Sequence, residues 1–415
     1  MSLIKPFKAI RPKKKLVEQV AAKPYDVLSS AEARIEAEGN PNSFYHITKA
    51  EIDFPEGVDD HSEVVYKKAK TNFENFLETG ILRPDKYESY YLYRQIMDGR
   101  SQTGLVALCN VDDYFNDVIK KHEYTRPEKE KDRMDHMRTT ETHPEPIMIT
   151  YPEVKEINDI THFVINNVLP ENDFTTADGI QHTVWIIDDI DSVSKITEIF
   201  KNQIPFTYIA DGHHRAASTA KLGSELAEKN KNHKGDEDYY WILSVIFPDT
   251  QLRIMDYNRL VKDLNGLSAE EFLQKIEDNF VLIDAPSSPY KPASIHHFGL
   301  YLDFKWYKLT AKSGTFDEND PVKSLDVSIL QENLLDPILG IKDQRTDQRI
   351  DFVGGIRGLG ELEKRVDSNE MRIAFSLFPV SLKELIAIAD SGNVMPPKST
   401  WFEPKLRSGL FLHKF

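Results

Sequence analysis

Cysteine is nearly absent. Cys109 is the single one among 415 residues, which excludes an intramolecular disulfide and suits a reducing compartment. It closes the apolar run Gly104 to Cys109, the setting of a buried strand residue rather than of a nucleophile. No run approaches the ~18 apolar residues of a membrane span, and the first residues hold no apolar leader segment. Both absences point to a cytoplasmic protein without a membrane partner. Met1-Ser2-Leu3 is set aside as foreign to the fold.

Positive charge is also short. Lys and Arg number 52 against 67 Asp and Glu, a formal charge of −15. Nucleic-acid binding needs a basic face that displaces counterions, so that class is disfavoured, while a local basic pocket stays open. What is present is ordinary for a globular chain: 40% hydrophobic and 10% aromatic residues, enough for a substantial core and for two or three lobes.

The most informative stretch runs from Tyr208 to Ala217, Tyr-Ile-Ala-Asp-Gly-His-His-Arg-Ala-Ala. Pro205 to Ala210 reads as a buried strand, Asp211-Gly212 as a turn, and the following residues as a helix to about Lys229. First-turn N–H groups have no intrahelical partner and lie at the positive dipole end, so this junction suits an anion. Arg215 adds a planar fork for phosphate or carboxylate oxygens. Asp211 is placed to hold Mg2+ or to accept a proton from a substrate hydroxyl. The structural alternative has equal weight on these residues alone: Asp is a good N-cap, and His-His-Arg makes a solvated first turn. Zinc is disfavoured, because adjacent histidines lack the i,i+4 spacing of a helical metal pair.

A second region is Lys120 to Arg138, with seven Lys/Arg and five Asp/Glu. Thr125 and Glu128 are spaced as a capping box, with Pro127 in the first turn, and most of this helix is expected to face solvent. His122, Glu123, Thr125 and Arg126 precede the helix in a loop, where side chains are free to converge on a ligand. Asp26, in Pro-Tyr-Asp, reads as an Asx-turn residue before a capped helix at Ser29-Ser30-Ala31-Glu32.

A third is Met395 to Gly409, whose cations and hydroxyls include Lys398, Ser399, Thr400, Lys405 and Ser408. It reads equally as an anion clasp or as a segment docking Trp401 and Phe402 into the core.

Elsewhere the patterning gives a strand at Phe44 to Ile47 and a helix between His61 and Thr79. A hairpin follows through Asp98-Gly99, then strands at Ile147 to Tyr151 and Gln181 to Ile187, and helices at Val154 to Val168 and Ser192 to Phe200. Further on come a strand at Leu252 to Leu260, a helix at Leu325 to Leu339, and a Ser381/Glu384 capping box. Gly354 to Gly360 lacks the strand-GxGxxG-helix context of a dinucleotide site and reads as a flexible turn. This alternation argues for a mixed α/β core, the α+β class, rather than a bundle.

Lys121-His-Glu-Tyr-Thr-Arg126, Ala210-Asp-Gly-His-His-Arg215 and Met395-Pro-Pro-Lys-Ser-Thr-Trp-Phe402, with the opening Pro-Phe-Lys-Ala-Ile-Arg-Pro and Pro-Tyr-Asp-Val, resemble the bacterial domain-of-unknown-function family ten-fifteen. The likeness makes residues 4–415 one family-length unit, with sub-lobes expected at 4–145 and 146–415. The Asp-Gly-His-His-Arg turn is similar to that of free-serine kinases in the ParB/sulfiredoxin superfamily. That resemblance implies a ParB/sulfiredoxin-like core with large N- and C-terminal elaborations. It also implies phosphoryl transfer to L-serine, with ATP, ADP or pyrophosphate as donor and Mg2+ as helper. On this reading Gly212, His213, His214 and Arg215 take the donor phosphates, and Lys398 and Ser399 close over them. Asp211 or Glu123 serves as base or Mg2+ ligand, with His214 also in a catalytic role. Two other classes stay open: a ParB-like nucleotide-binding module without chemistry, and a phosphate-ester hydrolase using the His213/His214 pair.

Overall fold

The computed structural model describes residues 1–415, which fall into two compact units: Met1–Leu252 with Pro404–Phe415, and Arg253–Glu403. The division thus lies at Leu252/Arg253 and again at Glu403/Pro404. Residue 145, where a lobe boundary was expected, falls inside the first unit, because the chain's last segment returns to that unit's sheet.

The first unit is built on a nine-stranded mixed sheet. Its strands are β1 (Ile4–Lys5), β2 (Tyr90–Met97), β3 (Arg100–Asn110), β4 (Ile119–Lys120), β5 (Ile147–Tyr151), β6 (Asn172–Thr175), β7 (Gln181–Ile187), β8 (Thr207–Asp211) and β9 (Trp241–Pro248). They run in the order β4-β8-β5-β9-β3-β2-β7-β6, and β1 adds to β3. β8 is parallel to β4 and β9 is parallel to β5, while the other pairings are antiparallel. The β2–β3 hairpin turns through Asp98 and Gly99, both at positive φ, as a tight primed turn requires.

Six helices of this unit matter here: α1 (Ser30–Ala37), α2 (Glu63–Glu78), α3 (Pro127–Thr140), α4 (Lys155–Asn167), α5 (Ile190–Gln203) and α6 (His213–Lys229). Ile157, Ile160 and Val164 of α4, Ile196, Ile199 and Phe200 of α5, and Ala216 and Ala220 of α6 share one core with Leu92, Ala107, Ile149, Trp185 and Ile246 of the sheet. Residues of opposite parity along β2, Tyr91 and Tyr93, meet Phe411 of the returning segment at ring distances of 5.4 and 5.9 Å. Alternation along one strand thus serves two faces.

The second unit carries a six-stranded antiparallel sheet. Its strands are β10 (Tyr257–Val261), β11 (Phe280–Asp284), β12 (His297–Leu302), β13 (Lys305–Ala311), β14 (Ile350–Gly354) and β15 (Ile373–Leu377), in the order β11-β13-β12-β15-β10-β14. The Ser381/Glu384 capping box forms at the start of the helix Leu382–Asp390.

Several expectations are corrected. Phe44 to Ile47 is no strand: Tyr45–Thr48 is a helical turn, with Thr48 N–H donating to the Phe44 carbonyl at 3.1 Å. Four apolar residues do not distinguish the two states. Leu325 to Leu339 winds as α only over Asp326–Leu330 and widens to a π turn over Gln331–Leu335. Leu252 to Leu260 breaks at Asp256 into Ile254–Met255 and β10. Gly354 ends β14 beneath the Trp401 indole, where a Cβ would stand 2.8 Å from ring atoms, so it is a packing position rather than a flexible turn. Ser2 and Leu3 belong to the fold, donating to the Ile204 carbonyl at 2.9 Å and to Asp113 at 2.7 Å. No helix is long and apolar enough to cross a membrane.

Candidate anion-binding site

β8 slips register against β5 between Ile209 and Asp211, an irregularity of the kind that re-aims a side chain beside a site. Gly212 follows at φ +93° and ψ 35°, a left-handed conformation that glycine adopts without strain. A Cβ there would stand 3.1 Å from the Arg215 guanidinium. Gly212, rather than Asp211, is the N-cap of α6, and no side chain caps the helix. The first-turn N–H groups of this 17-residue helix remain to be satisfied from outside it.

Asp211 lies between two cations. Its Oδ1 is 3.0 Å from Lys405 Nζ and its Oδ2 is 3.1 Å from Arg215 Nη2. Burial would raise its pKa, but Lys405 and then Arg215 outweigh burial and hold it at about 2. So weak a base has little drive to take a hydroxyl proton. The Mg2+ role expected for Asp211 does not fit either, since both oxygens are already in ion pairs. No group of three or more His, Cys, Asp or Glu side chains is arranged to hold a metal.

Arg215 is turned inward rather than presented as a fork. It is 6% exposed, and Nη1 donates to the Pro146 carbonyl at 2.6 Å. Burial opposes its charge, but Asp26, Asp211 and Glu145 more than offset that and raise its pKa. The guanidinium fixes Asp211 and the entry to β5.

His213 also points inward, with Nδ1 3.6 Å from Glu123 Oε2 and Nε2 3.5 Å from the His122 N–H. The His122 and His213 rings meet edge to face at 4.4 Å. Neither ring nitrogen of the buried His122 makes an aligned hydrogen bond. Burial pushes His122 down to about 4, and burial with His122 as neighbour takes His213 well below the usual imidazole value.

His214 is more open. Its Nε2 accepts the Arg126 N–H at 3.1 Å, so in the neutral ring the proton sits on Nδ1, which becomes a donor. Burial first, then Arg126, lowers its pKa, while Asp26 and Glu130 pull the other way. The Arg126 side chain is 68% exposed.

The loop at 122–126 therefore does converge on the turn, but α3 is not the solvent-facing helix its charges suggested. Arg126 is its N-cap, and Glu130, Asp132, Arg133 and His136 are buried. Thr125 Oγ1 donates to Glu130, not to a capping box, and Lys221 pairs with the same carboxylate. An inward-facing charge stripe and an outward-facing one are identical in sequence when the partners lie on a distant helix.

Sequence patterning marks neither Glu145 nor Arg133 as a site residue, and marks Asp26 only as an Asx turn. Glu145 is buried and accepts the Tyr25 N–H at 3.0 Å and the Ser408 hydroxyl at 2.6 Å; burial raises its pKa against the pull of Arg215. Arg133 stacks on the Tyr25 ring at 3.9 Å. Asp26, exposed, acts electrostatically on Arg215, His214 and Glu145, which is more than an Asx turn needs. The signal available was Glu145 held between two prolines just before a buried strand.

Lys398, Ser399 and Thr400 belong to the second unit, whereas Lys405 belongs to the first. Lys398 is exposed with φ +58°, and Ser399 donates its hydroxyl to the Pro396 carbonyl at 2.6 Å.

The first unit is thus a mixed α/β protein with an uncapped helix start, ringed by imidazoles and by cations from distant parts of the chain. The chain belongs to the family described as protein of unknown function (DUF1015), whose sequence profile matches residues 4–328. No curated protein matches it by sequence. Among solved structures it is similar to a free serine kinase in complex with AMP, at 12% identity and TM-score 0.37, over 72% of this chain and 86% of that one. It is also similar to a conserved hypothetical protein from Pyrococcus furiosus, at 14% identity and TM-score 0.36, over 73% and 93%. A third likeness is to C-terminally truncated SbnI from Staphylococcus aureus, at 12% identity and TM-score 0.37, over 72% and 82%.

Proposed function

We propose that the first unit is the catalytic part of a small-molecule kinase that phosphorylates the hydroxyl of free L-serine, with ATP, ADP or pyrophosphate as donor. The observation that carries this reading is the uncapped start of α6, with the His214 Nδ1 donor and the exposed Arg126 beside it. Phosphoryl transfer spreads charge over the equatorial oxygens, and such transfer is accelerated mainly by placed donors and positive charge. The N–H groups of residues 213–215, His214 and Arg126 supply both. The nine-stranded sheet and α6 then make up the ParB/sulfiredoxin-like core, and the remaining segments its elaborations. Its compartment is the cytoplasm, in keeping with the free, buried Cys109.

In the reaction the serine oxygen attacks the terminal phosphorus of the donor. The bond from that phosphorus to the bridging oxygen breaks, the donor leaves shortened by one phosphoryl group, and a carboxylate takes the hydroxyl proton. With Asp211 committed to two cations, that role passes to Asp26, an exposed carboxylate whose charge acts on Arg215 and His214; Glu123, with Oε2 3.6 Å from His213 Nδ1, is the other carboxylate near the turn.

A hydrolase using the His213/His214 pair is less well supported, since His213 is 5% exposed and held neutral by burial. A nucleotide-binding module without chemistry would share the geometry, so turnover decides. Purified protein is incubated with L-serine, Mg2+ and ATP, ADP or pyrophosphate in turn, and O-phosphoserine is sought by mass spectrometry. Formation with one donor is expected. No product with any of them, together with unchanged thermal stability when each donor is added, overturns the kinase reading.

A further inference from the structure

Five arginines of the chain are buried: Arg11, Arg133, Arg215, Arg259 and Arg407. Four have a carboxylate partner, respectively Asp85, Asp132, Asp211 and Asp178. Arg259, on β10 of the second unit and 0% exposed, has none. Its Nη atoms donate to backbone carbonyls: Nη1 to Tyr257, and Nη2 to Lys398 at 3.0 Å and Pro397 at 3.4 Å. Its Nε is buried without a partner. Carbonyl dipoles solvate a guanidinium, but they do not cancel its charge.

The surroundings add to the imbalance. Lys398 makes no ion pair; it is exposed, held at φ +58°, with Nζ 5.7 Å from the Tyr257 ring centre. The buried Asp256, just before β10, is matched by Lys291 at 3.2 Å and by the Asn258 amide at 2.7 Å. Glu403 accepts the Trp401 indole N–H at 3.0 Å.

Around these cations three aromatic rings are only half-buried: Tyr257, Phe352 and Trp401. Tyr257 is 5.1 Å from Trp401 and 6.0 Å from Phe352, both edge to face. Phe352 lies opposite Arg259 in the ladder and Gly354 opposite Tyr257, so these residues share one face of the sheet. Trp401 rests on the bare backbone of Gly354, which is what the glycine there permits. Ring faces stack on planar bases, and cations beside them take phosphate.

We propose that this face of the second unit, roofed by Pro396 to Trp401, is a nucleoside-phosphate site. Lys398 takes the phosphate, the uncancelled charge of Arg259 beneath the Pro397–Lys398 backbone adds to the positive field, and Trp401 with Tyr257 and Phe352 receives the base. This goes beyond the serine-kinase reading, which rests on residues of the first unit.

The experiment uses the full chain. AMP, adenosine and inorganic phosphate are titrated separately, with binding followed by calorimetry and by tryptophan emission. AMP is expected to bind, with affinity falling at least tenfold in Lys398→Ala and with the emission change lost in Trp401→Phe. Inorganic phosphate is expected to bind more weakly than AMP and to leave the emission unchanged. His214→Ala, in the first unit, is expected to keep the Trp401 response while losing phosphoserine formation, so the two readings fail separately. Unaltered AMP affinity in Lys398→Ala, an emission change that survives Trp401→Phe, or phosphate binding as tight as AMP overturns the assignment. Lys398 is exposed, so its variant folds even if an Arg259 variant does not.

Discussion

Lys405 Nζ and Asp211 Oδ1 stand 3.0 Å apart although 194 positions separate them. With the Arg215 pair on the other oxygen, this contact ties the returning C-terminal segment to the start of α6. Asp211→Asn removes a carboxylate paired with two largely buried cations. The expected loss is about 3 kcal/mol, the low end for breaking a buried pair because Asp211 keeps some exposure. The folded pKa of Asp211 is depressed to about 2. Its contribution is therefore complete above the unfolded carboxylate value and is lost as pH falls through about 2. Denaturant melts of wild type and variant at pH 7, 5 and 3 check this: the gap should be full at 7 and 5 and narrower at 3.

Acid should weaken the fold well before the carboxylates titrate. His122 and His136 are pushed down to about 4 by burial, His182 to about 3, and His143 and His213 well below the usual value. A depressed folded pKa means that the unfolded chain binds more protons below the unfolded imidazole value of about 6.5. Stability is thus fully present above that pH and falls as pH drops toward about 4. Unfolding midpoints should decline steadily from pH 7 to 5. His122→Phe keeps an aromatic ring at the cost of a modest gain in volume, breaks no aligned side-chain bond, and should shallow that decline. An unchanged slope would mean that His122 is not held neutral.

How much of this was legible beforehand depended on whether the cause was local. β7 was read at its observed ends because its run of β-branched and aromatic residues lies within seven positions, and the Ser29/Glu32 and Ser381/Glu384 boxes formed because capping partners sit three residues apart. The strand, turn and helix at Asp211-Gly212 were legible for the same reason. The contacts of Asp211 were not. A carboxylate beside a glycine reads as a cap or a ligand until Lys405 is brought to it, and sequence spacing carries no information about a partner so far along the chain. Glu145 was missed likewise, and Asp26 read only as an Asx turn, since their relation to Arg215 exists only once the N-terminal segment, the entry to β5 and α6 have packed together.

Gly212→Ala tests whether the turn must keep its shape. The new Cβ would have to adopt φ +93° and would press on Arg215 at 3.1 Å. The backbone term alone is about 1–2 kcal/mol, and displacement of Arg215 also disturbs its bond to Pro146. A fall of several degrees in Tm with a larger fall in phosphoserine formation is expected. Wild-type turnover would show that neither the left-handed turn nor the position of Arg215 matters to the chemistry.

On the proposed kinase reading, a carboxylate must take the serine hydroxyl proton. Asp211 is kept ionised by Lys405 and Arg215, and its depressed pKa makes it a poor acceptor. Asp26 is open to solvent and bears electrostatically on both Arg215 and His214. A general base contributes roughly 10²–10⁴-fold. Asp26→Asn should lower kcat by that order while leaving KM for serine within a few-fold and the melting temperature near wild type, since an exposed carboxylate holds little of the fold. Glu123→Gln should act more mildly, through the position of His213, whose Nδ1 lies 3.6 Å away. The reverse ranking would move the base to Glu123. Equal and small effects in both would leave transfer to the α6 N–H groups, His214 and Arg126, and kcat would then fall chiefly in Arg126→Ala.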